Sequence, residues 1–206
     1  MTQYAKAGFG GTSISSSPGP GPGPGPEPGF PTELVYEEDF ELGNAFTLVG
    51  STAVPANEFV RGTAKVSTGT HALYVTDDGG TTNSYDGESG DGRVHAYVDV
   101  NVGSATNFGV EFDWACVGEA GFDKGVISLA SPSTAITPDG VFAGAVLFDA
   151  MENNANFVTE QITAIDAYEG LNEAGIIRIV FTFEWDGSIT GGAPLAIDNF
   201  KVYKDS

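Results

Sequence analysis

The sequence is short of the residues that most often carry chemistry. Its 206 residues include one cysteine, Cys116, and two histidines, His71 and His95. A single cysteine allows no disulfide within the chain. Cys116 sits in the apolar stretch Phe112-Asp113-Trp114-Ala115-Cys116-Val117, where a buried structural thiol is expected rather than a nucleophile. Neither histidine stands in a recognised Ser or Cys arrangement, so both read as structural or surface groups. No glycine loop that cradles phosphate precedes a helix. No carboxylate pair is marked out for glycoside hydrolysis. The sequence therefore names no catalytic residue, and a non-enzymatic role is expected.

Basic residues are scarce as well. Eight Lys and Arg stand against 28 Asp and Glu, for a net charge of −20. A nucleic-acid backbone would be repelled by such a surface, which excludes DNA or RNA as the expected partner. No run approaches the roughly 20 apolar residues that cross a membrane. The N-terminus, Met1-Thr2-Gln3-Tyr4-Ala5-Lys6-Ala7-Gly8-Phe9-Gly10, lacks the apolar core of a secretory leader. No amphipathic helix of ordinary length stands out, and residues 164–174 hold a turn or two at most.

What the chain does have is a Pro-Gly repeat and a long β-rich body. Six of the eleven prolines fall between Pro18 and Pro28, alternating with glycine up to Gly25. Glycine at every second position rules out a collagen triple helix, which needs it at every third. Proline biases such a run towards extended polyproline II geometry. At about 3.1 Å per residue, Pro18 to Gly29 reaches roughly 30 to 40 Å. The expected organisation is an N-terminal peptide (1–16), a spacer (17–31) and one domain (32–206). Residues 1–16 carry only Tyr4, Phe9 and Ile14 as bulky apolar anchors, too few to fold alone. They read as a tail or as a peptide that orders on a partner.

The body is 41% hydrophobic over the whole chain and shares fourteen phenylalanines, so a packed core is expected. Strands are expected near 34–40, 46–49, 59–61, 72–76, 94–100, 108–114, 125–129, 141–148, 156–162, 176–185 and 195–203. They are separated by Gly, Asn, Asp and Ser, with no helices between them. That pattern predicts an all-β antiparallel sandwich rather than a parallel sheet. Asp77-Asp78-Gly79-Gly80 reads as a turn, since it lacks the spacing of a calcium loop. Tyr85, in the polar loop 81–92, reads as an exposed aromatic able to stack on a sugar. With Phe40 inward in an extended strand, Asp39 and Glu41 point outward together. If the terminal strands pair, Asp198 converges on them, and hard oxygen ligands of this kind suit calcium. Plain surface acids are the alternative.

Four ordered segments carry a resemblance. They are Glu38-Asp39-Phe40-Glu41 with Asn57-Glu58-Phe59-Val60-Arg61-Gly62; His71-Ala72-Leu73-Tyr74-Val75-Thr76-Asp77-Asp78; Phe112-Asp113-Trp114-Ala115-Cys116 with Phe122-Asp123; and Phe181-Thr182-Phe183-Glu184-Trp185 with Leu195-Ala196-Ile197-Asp198-Asn199-Phe200. Together they resemble the jelly-roll adhesin modules of gingipain haemagglutinin regions and of many Bacteroidetes surface proteins, which are similar to MAM domains. The resemblance implies a jelly-roll β-sandwich preceded by the Pro-Gly spacer. It implies binding or adhesion rather than catalysis. It also implies structural calcium near the paired terminal strands, with Asp39, Glu41, Asp198 and then Asp113 as ligands. The expected partners are a larger assembly reached through residues 1–16, a capsid first among them, and a glycan or host surface reached through the sandwich. The expected setting is a phage virion surface, as capsid decoration or head fibre. The alternative is a secreted bacterial adhesin or carbohydrate-binding module.

Overall fold

The computed structural model describes residues 29–163 and 170–205. The peptide 1–16, all but the end of the spacer, and residues 164–169 lie outside them. Among the described residues there are eleven strands and no helix. They are β1 (Glu33–Glu38), β2 (Thr47–Val49), β3 (Glu58–Gly62), β4 (Ala72–Thr76), β5 (Gly92–Asn101), β6 (Phe108–Cys116), β7 (Lys124–Ala130), β8 (Ala145–Met151), β9 (Asn154–Thr163), β10 (Ile176–Trp185) and β11 (Ala196–Lys204).

Two antiparallel sheets face each other. One has the order β3-β4-β11-β6-β9 and the other β2-β5-β10-β7-β8. The start of β11 pairs with β4 and its remainder with β1, so β1 and β4 lie end to end along it. Period-two alternation decides which residues face inward. On β10, Ile177, Ile179, Phe181 and Phe183 are fully buried, while Arg178 and Glu184 reach the other face. Val94, Ala96, Val98 and Val100 are the buried, inward set on β5. An aromatic knot fills the centre. Phe181 packs on Phe112, Phe200 and Phe46 at centroid distances of 5.1, 5.6 and 6.1 Å. Cys116 is buried, and desolvation pushes its thiol up to about 12, which matches the expected inert thiol.

Two expected strands shift. β1 ends at Glu38 because Phe40 adopts φ 59°, in the left-handed region that costs a bulky residue strain. Local and distant partners hold it there. The Glu38 carboxylate accepts the amides of Phe40 and Ala45 at 2.9 Å each, and Arg61 donates to the carbonyls of Phe40 and, at 2.6 Å, Glu41. Phe40 is buried as expected, but by a turn rather than by strand alternation. Residues 141–144 are not strand either. They belong to the loop 131–144, and β8 begins at Ala145.

The registers also order the two ends of the sandwich. β10 ends at Trp185 and the chain crosses to the start of β11, which runs back to Lys204 opposite Glu33. Phe30 lies edge-on to Tyr203 at 5.4 Å, so the chain enters the sandwich at the end away from Trp185.

Candidate functional site

The outward side chains of the five-stranded sheet form rungs across β5, β10 and β7. One rung is Arg93, Glu184 and Lys124, and the next is His95, Thr182 and Val126. Arg93 Nε donates to Glu184 Oε2 at 3.1 Å, and Lys124 Nζ lies 3.9 Å from Glu184 Oε1. Two rungs further on, Arg178 grips Asp99 through two bonds of 2.7 and 2.8 Å and covers the Tyr97 ring at 4.3 Å.

The loop 131–144 lies along this face and makes a wall. Asp139 anchors it. Its carboxylate accepts from Ser51 Oγ (2.6 Å), Thr52 N and Oγ1 (2.7 Å each), Ala53 N (3.0 Å) and Arg93 N (3.1 Å). Burial raises its pKa, but these bonds outweigh burial and hold it well below the usual carboxylate range. A depressed carboxyl stabilises the fold above its unfolded pKa and loses that contribution only as pH falls through the lower folded value. Asp139→Ala is expected to cost about 2 kcal/mol, typical of lost bonds to a charged group. Faster amide exchange at Thr52 and Ala53 would accompany it.

Between wall and sheet lies a recess of ≈ 190 Å³. His95 forms its floor with Ser128 and Thr182. Val126, Val141, Phe142 and Val146 supply its apolar sides. His95 is fully buried, its Nδ1 2.9 Å from Thr182 Oγ1 and its ring edge-on to Phe142 at 5.8 Å. Its Nε2 has no hydrogen-bond partner of normal geometry, although the Gly140 carbonyl is near. Desolvation, with Arg93 beside it, brings the imidazole down to about 4, so it is neutral at pH 7. A second recess of ≈ 310 Å³ continues past Arg93 and Glu184 to Asp91, Phe122, Trp185 and Asp186. Phe122 is exposed there. The two recesses share Arg93 and Glu184 and so make one cleft.

Tyr85, expected to be an exposed sugar platform, is not one. It is 2% exposed, lies against Phe183 and Trp185 at 5.0 and 6.4 Å, and donates its hydroxyl to the buried Asp123. It ties the loop end of the sandwich together, accepting the Gly191 amide at 2.8 Å. Asp77 and Asp78 do form a turn. Asp78 accepts from Thr76, Thr81 and Thr82, which holds its pKa down to about 2.

Of the four acids expected to hold calcium, Asp113 and Asp198 lie on the other sheet, and Asp39 and Glu41 lie in the turn after β1. Asp198 and Asp113 are register partners on β11 and β6. Asp198 is fully buried and accepts the amides of Ser67 and Thr68 at 2.9 and 3.1 Å. Asp113 accepts from Ser67 Oγ and Asn199 Nδ2, each at 2.7 Å. Glu41 takes the other half of the same loop: its carboxylate accepts Thr70 N and Oγ1 at 2.8 Å and His71 N at 2.9 Å. The His71 and Thr70 amides hold Glu41 down to about 2. Asp39 is exposed and accepts the Glu41 amide at 3.0 Å. Gly69 bridges the two halves with φ 68°, and a Cβ there would strike the Glu41 carboxylate. The set is all oxygen, the donor type a hard cation such as calcium takes, and Asp113, Asp198 and Glu41 each already accept N–H or O–H donors of the 67–71 loop. The structure thus brings Asp113, Asp198 and Glu41 to one loop and leaves Asp39 beside it. Among the described residues, the one trio of acids whose ligand atoms all lie within 4.8 Å is different: Glu119, Asp123 and Asp186.

No protein-family model matches the chain, and no curated protein matches it. Solved structures do. The chain is similar to the CBM22-1 xylan-binding domain of Paenibacillus barcinonensis Xyn10C, with a TM-score of 0.53 at 10% identity, over 86% of this chain and 98% of that one. It is also similar to the CBM22-1-CBM22-2 tandem of the same protein, with a TM-score of 0.51 at 12% identity, over 88% of this chain and 47% of that one. At such identities the likeness is one of fold. The class is an antiparallel jelly-roll β-sandwich, and these structural neighbours are carbohydrate-binding modules.

Proposed function

We propose that this protein is a non-enzymatic glycan-binding module whose ligand lies in the cleft on the five-stranded sheet. One observation carries this reading. The loop carrying Val141 and Phe142 encloses a recess of ≈ 190 Å³ over the outward face of β5, β10 and β7, beside the charged rung of Arg93, Glu184 and Lys124. Ligand sites are concave and mostly apolar, with a few polar groups that fix orientation. Apolar contact from Phe142 and hydrogen bonding from Arg93 and Glu184 suit a sugar, which presents C–H on its ring face and hydroxyls at its edge. The neighbour named as a xylan-binding domain supports the same chemistry. The full-length chain is expected to be retarded by at least one polysaccharide in affinity gels. Phe142→Ala should weaken that retention about tenfold, in line with about 1.5 kcal/mol for a ring contact. A chain that no polysaccharide or glycan array retains would sink the reading.

In the same proposal the sandwich is mounted on a larger assembly through residues 1–16, as capsid decoration or a head fibre on a virion. Two features support it. The Pro-Gly run precedes the domain, and the chain enters at the Phe30–Tyr203 end, away from Trp185 and the Phe122 recess. The cleft would then face away from whatever holds the spacer. Co-sedimentation with capsids, lost on deleting residues 1–16, is the expected result. A chain that ignores capsids but coats bacterial cells would favour the adhesin reading instead. Calcium at Glu41, Asp198 and Asp113, with Asp39 beside them, belongs to this proposal as a structural ion. When bound it would supply charge for these carboxylates and do no chemistry.

A further inference from the structure

We infer that the cleft takes the end of a glycan chain and not its interior. The glycan enters end-first along β5 and β10 from the Trp185 end of the sandwich, and its terminal sugar stops against the loop 131–144. The inference rests on the glycan-binding reading and goes beyond it to the part of the polysaccharide that is recognised.

The direction of the cleft comes first. Its two recesses follow one another along the strands, not across them. The first is lined by His95 and Arg93 of β5 with their register partners on β10, Thr182 and Glu184. The second starts from Arg93 and Glu184 and continues to Asp91 and Asp186. From Thr182 to Asp186 the backbone advances about 14 Å, at about 3.4 Å per residue. That is a path for a short run of sugar units in file, parallel to the strands.

One end of this path is blocked. On the rung of Arg93, Glu184 and Lys124 the side chains are 34, 26 and 28% exposed. One rung on, His95 and Thr182 are buried, and on the next Val180 and Ser128 are buried too. All four point outward from the sheet, so something lies over them. It is the loop 131–144. Phe142 packs edge-on against His95 at 5.8 Å, and Arg178, on the rung after Val180, donates through Nη1 to the Thr134 carbonyl at 2.7 Å. The first recess is where this roof begins. At ≈ 190 Å³ it falls below the about 300–1,000 Å³ of sites that take drug-sized ligands, so it holds one sugar and no chain runs on beneath the loop.

The other end is open. Asp91 and Asp186 are exposed there, and so is the Phe122 ring. An accessible ring beside carboxylates suits the C–H face and the hydroxyls of a sugar. It stands beyond Arg93 and Glu184 from the loop, so it meets a later unit of the glycan and not the terminal one.

The test uses the full-length chain and four linear polysaccharides: xylan, mannan, galactan and mixed-linkage β-glucan. Each is titrated calorimetrically at equal mass, intact and after cleavage to shorter chains. Protein bound per gram is expected to rise in proportion to the number of chain ends, with Kd per end unchanged. Capacity that follows mass and ignores the number of ends overturns the inference and leaves the glycan-binding reading standing. Phe122→Ala then locates the glycan. Phe122 is exposed, so the variant keeps its fold, which its unfolding midpoint verifies. It should weaken the trisaccharide of a bound polymer about tenfold more than the monosaccharide, as for a lost ring contact. Equal effects on the two sugars overturn the inference, because the terminal unit then does not stop at the loop with the next units passing Phe122. Failure of all four polymers in both forms overturns it as well. The glycan-binding reading falls with it only if every other polysaccharide and a glycan array also fail to retain the protein.

Discussion

Replacing Phe181 with alanine is expected to destabilise the sandwich by about 3–5 kcal/mol, the range for removing a buried ring. Phe181 is fully buried at the middle of β10, with Ala96 of β5 and Ile127 of β7 opposite it in register. It is also the ring that touches Phe46, Phe112 and Phe200. Phe112 and Phe200 belong to the opposite sheet, so the cavity would open between the sheets. Backbone pairing on both sides prevents collapse around it. Domains are stable by only about 5–15 kcal/mol, so this loss is a large fraction of the total. The check is denaturant unfolding, with a lower midpoint at unchanged slope. Val141→Ala, at a side chain 85% exposed, should change stability by less than about 0.5 kcal/mol. A Phe181→Ala cost below about 1 kcal/mol would mean that the core does not lie where these contacts put it.

The alternation that buries Phe181 is readable in the sequence. Residues 176–185 keep their apolar positions two apart, and burial follows that period along the strand. Such a pattern is local, so the all-β sandwich was legible. What was not legible depends on partners far along the chain. Tyr85 sits in a polar loop, and nothing nearby says that its hydroxyl will meet Asp123 or its ring Phe183. Phe40 leaves the extended conformation because Arg61, twenty-one residues on, takes its carbonyl. The apolar run at 141–144 looks like the start of a strand. It becomes a wall because Asp139 is tied to Ser51, 88 residues away. His95 is an extreme case. In sequence it is a lone histidine in an apolar strand, and only the loop carrying Phe142 turns its ring into the floor of a recess. The acids fall between these cases. Their type is legible, and the pairing of Asp113 with Asp198 follows once β6 and β11 are neighbours. The shared loop at 67–71, which joins Glu41 to that pair, carries no signal beyond Gly69.

That loop makes the effect of calcium the second large expectation. Asp198 is buried beside Asp113, and burial first, with Asp113 adding to it, raises its pKa. Burial pushes Asp113 up as well, but bonds from Thr159, Asn199 and Ser67 outweigh it and leave its pKa lowered. Two adjacent carboxylates, one of them deeply desolvated, gain most from a bound cation. Calcium at a hundred times its Kd should therefore add about 2.7 kcal/mol. For a chain of this size that is a rise in Tm of roughly 5–10 °C. Asp198→Asn should remove most of the response, since it keeps the shape and loses the charge. The pH dependence has a definite sign. In calcium-free protein a raised carboxyl binds its proton more tightly when folded, so protonating Asp198 favours the native state as pH falls below its folded pKa. Proton and calcium then compete for the same oxygens. Glu41, held near 2, remains charged throughout that window and is not the group that titrates. The calcium-induced shift in Tm should accordingly be largest at pH 7 and shrink as pH falls through the raised pKa of Asp198. Thermal unfolding with calcium and with chelator at pH 7 and pH 4.5 reads this directly. Equal melting with calcium and chelator at pH 7 would remove calcium from the fold and leave these carboxylates as clamps on the 67–71 loop.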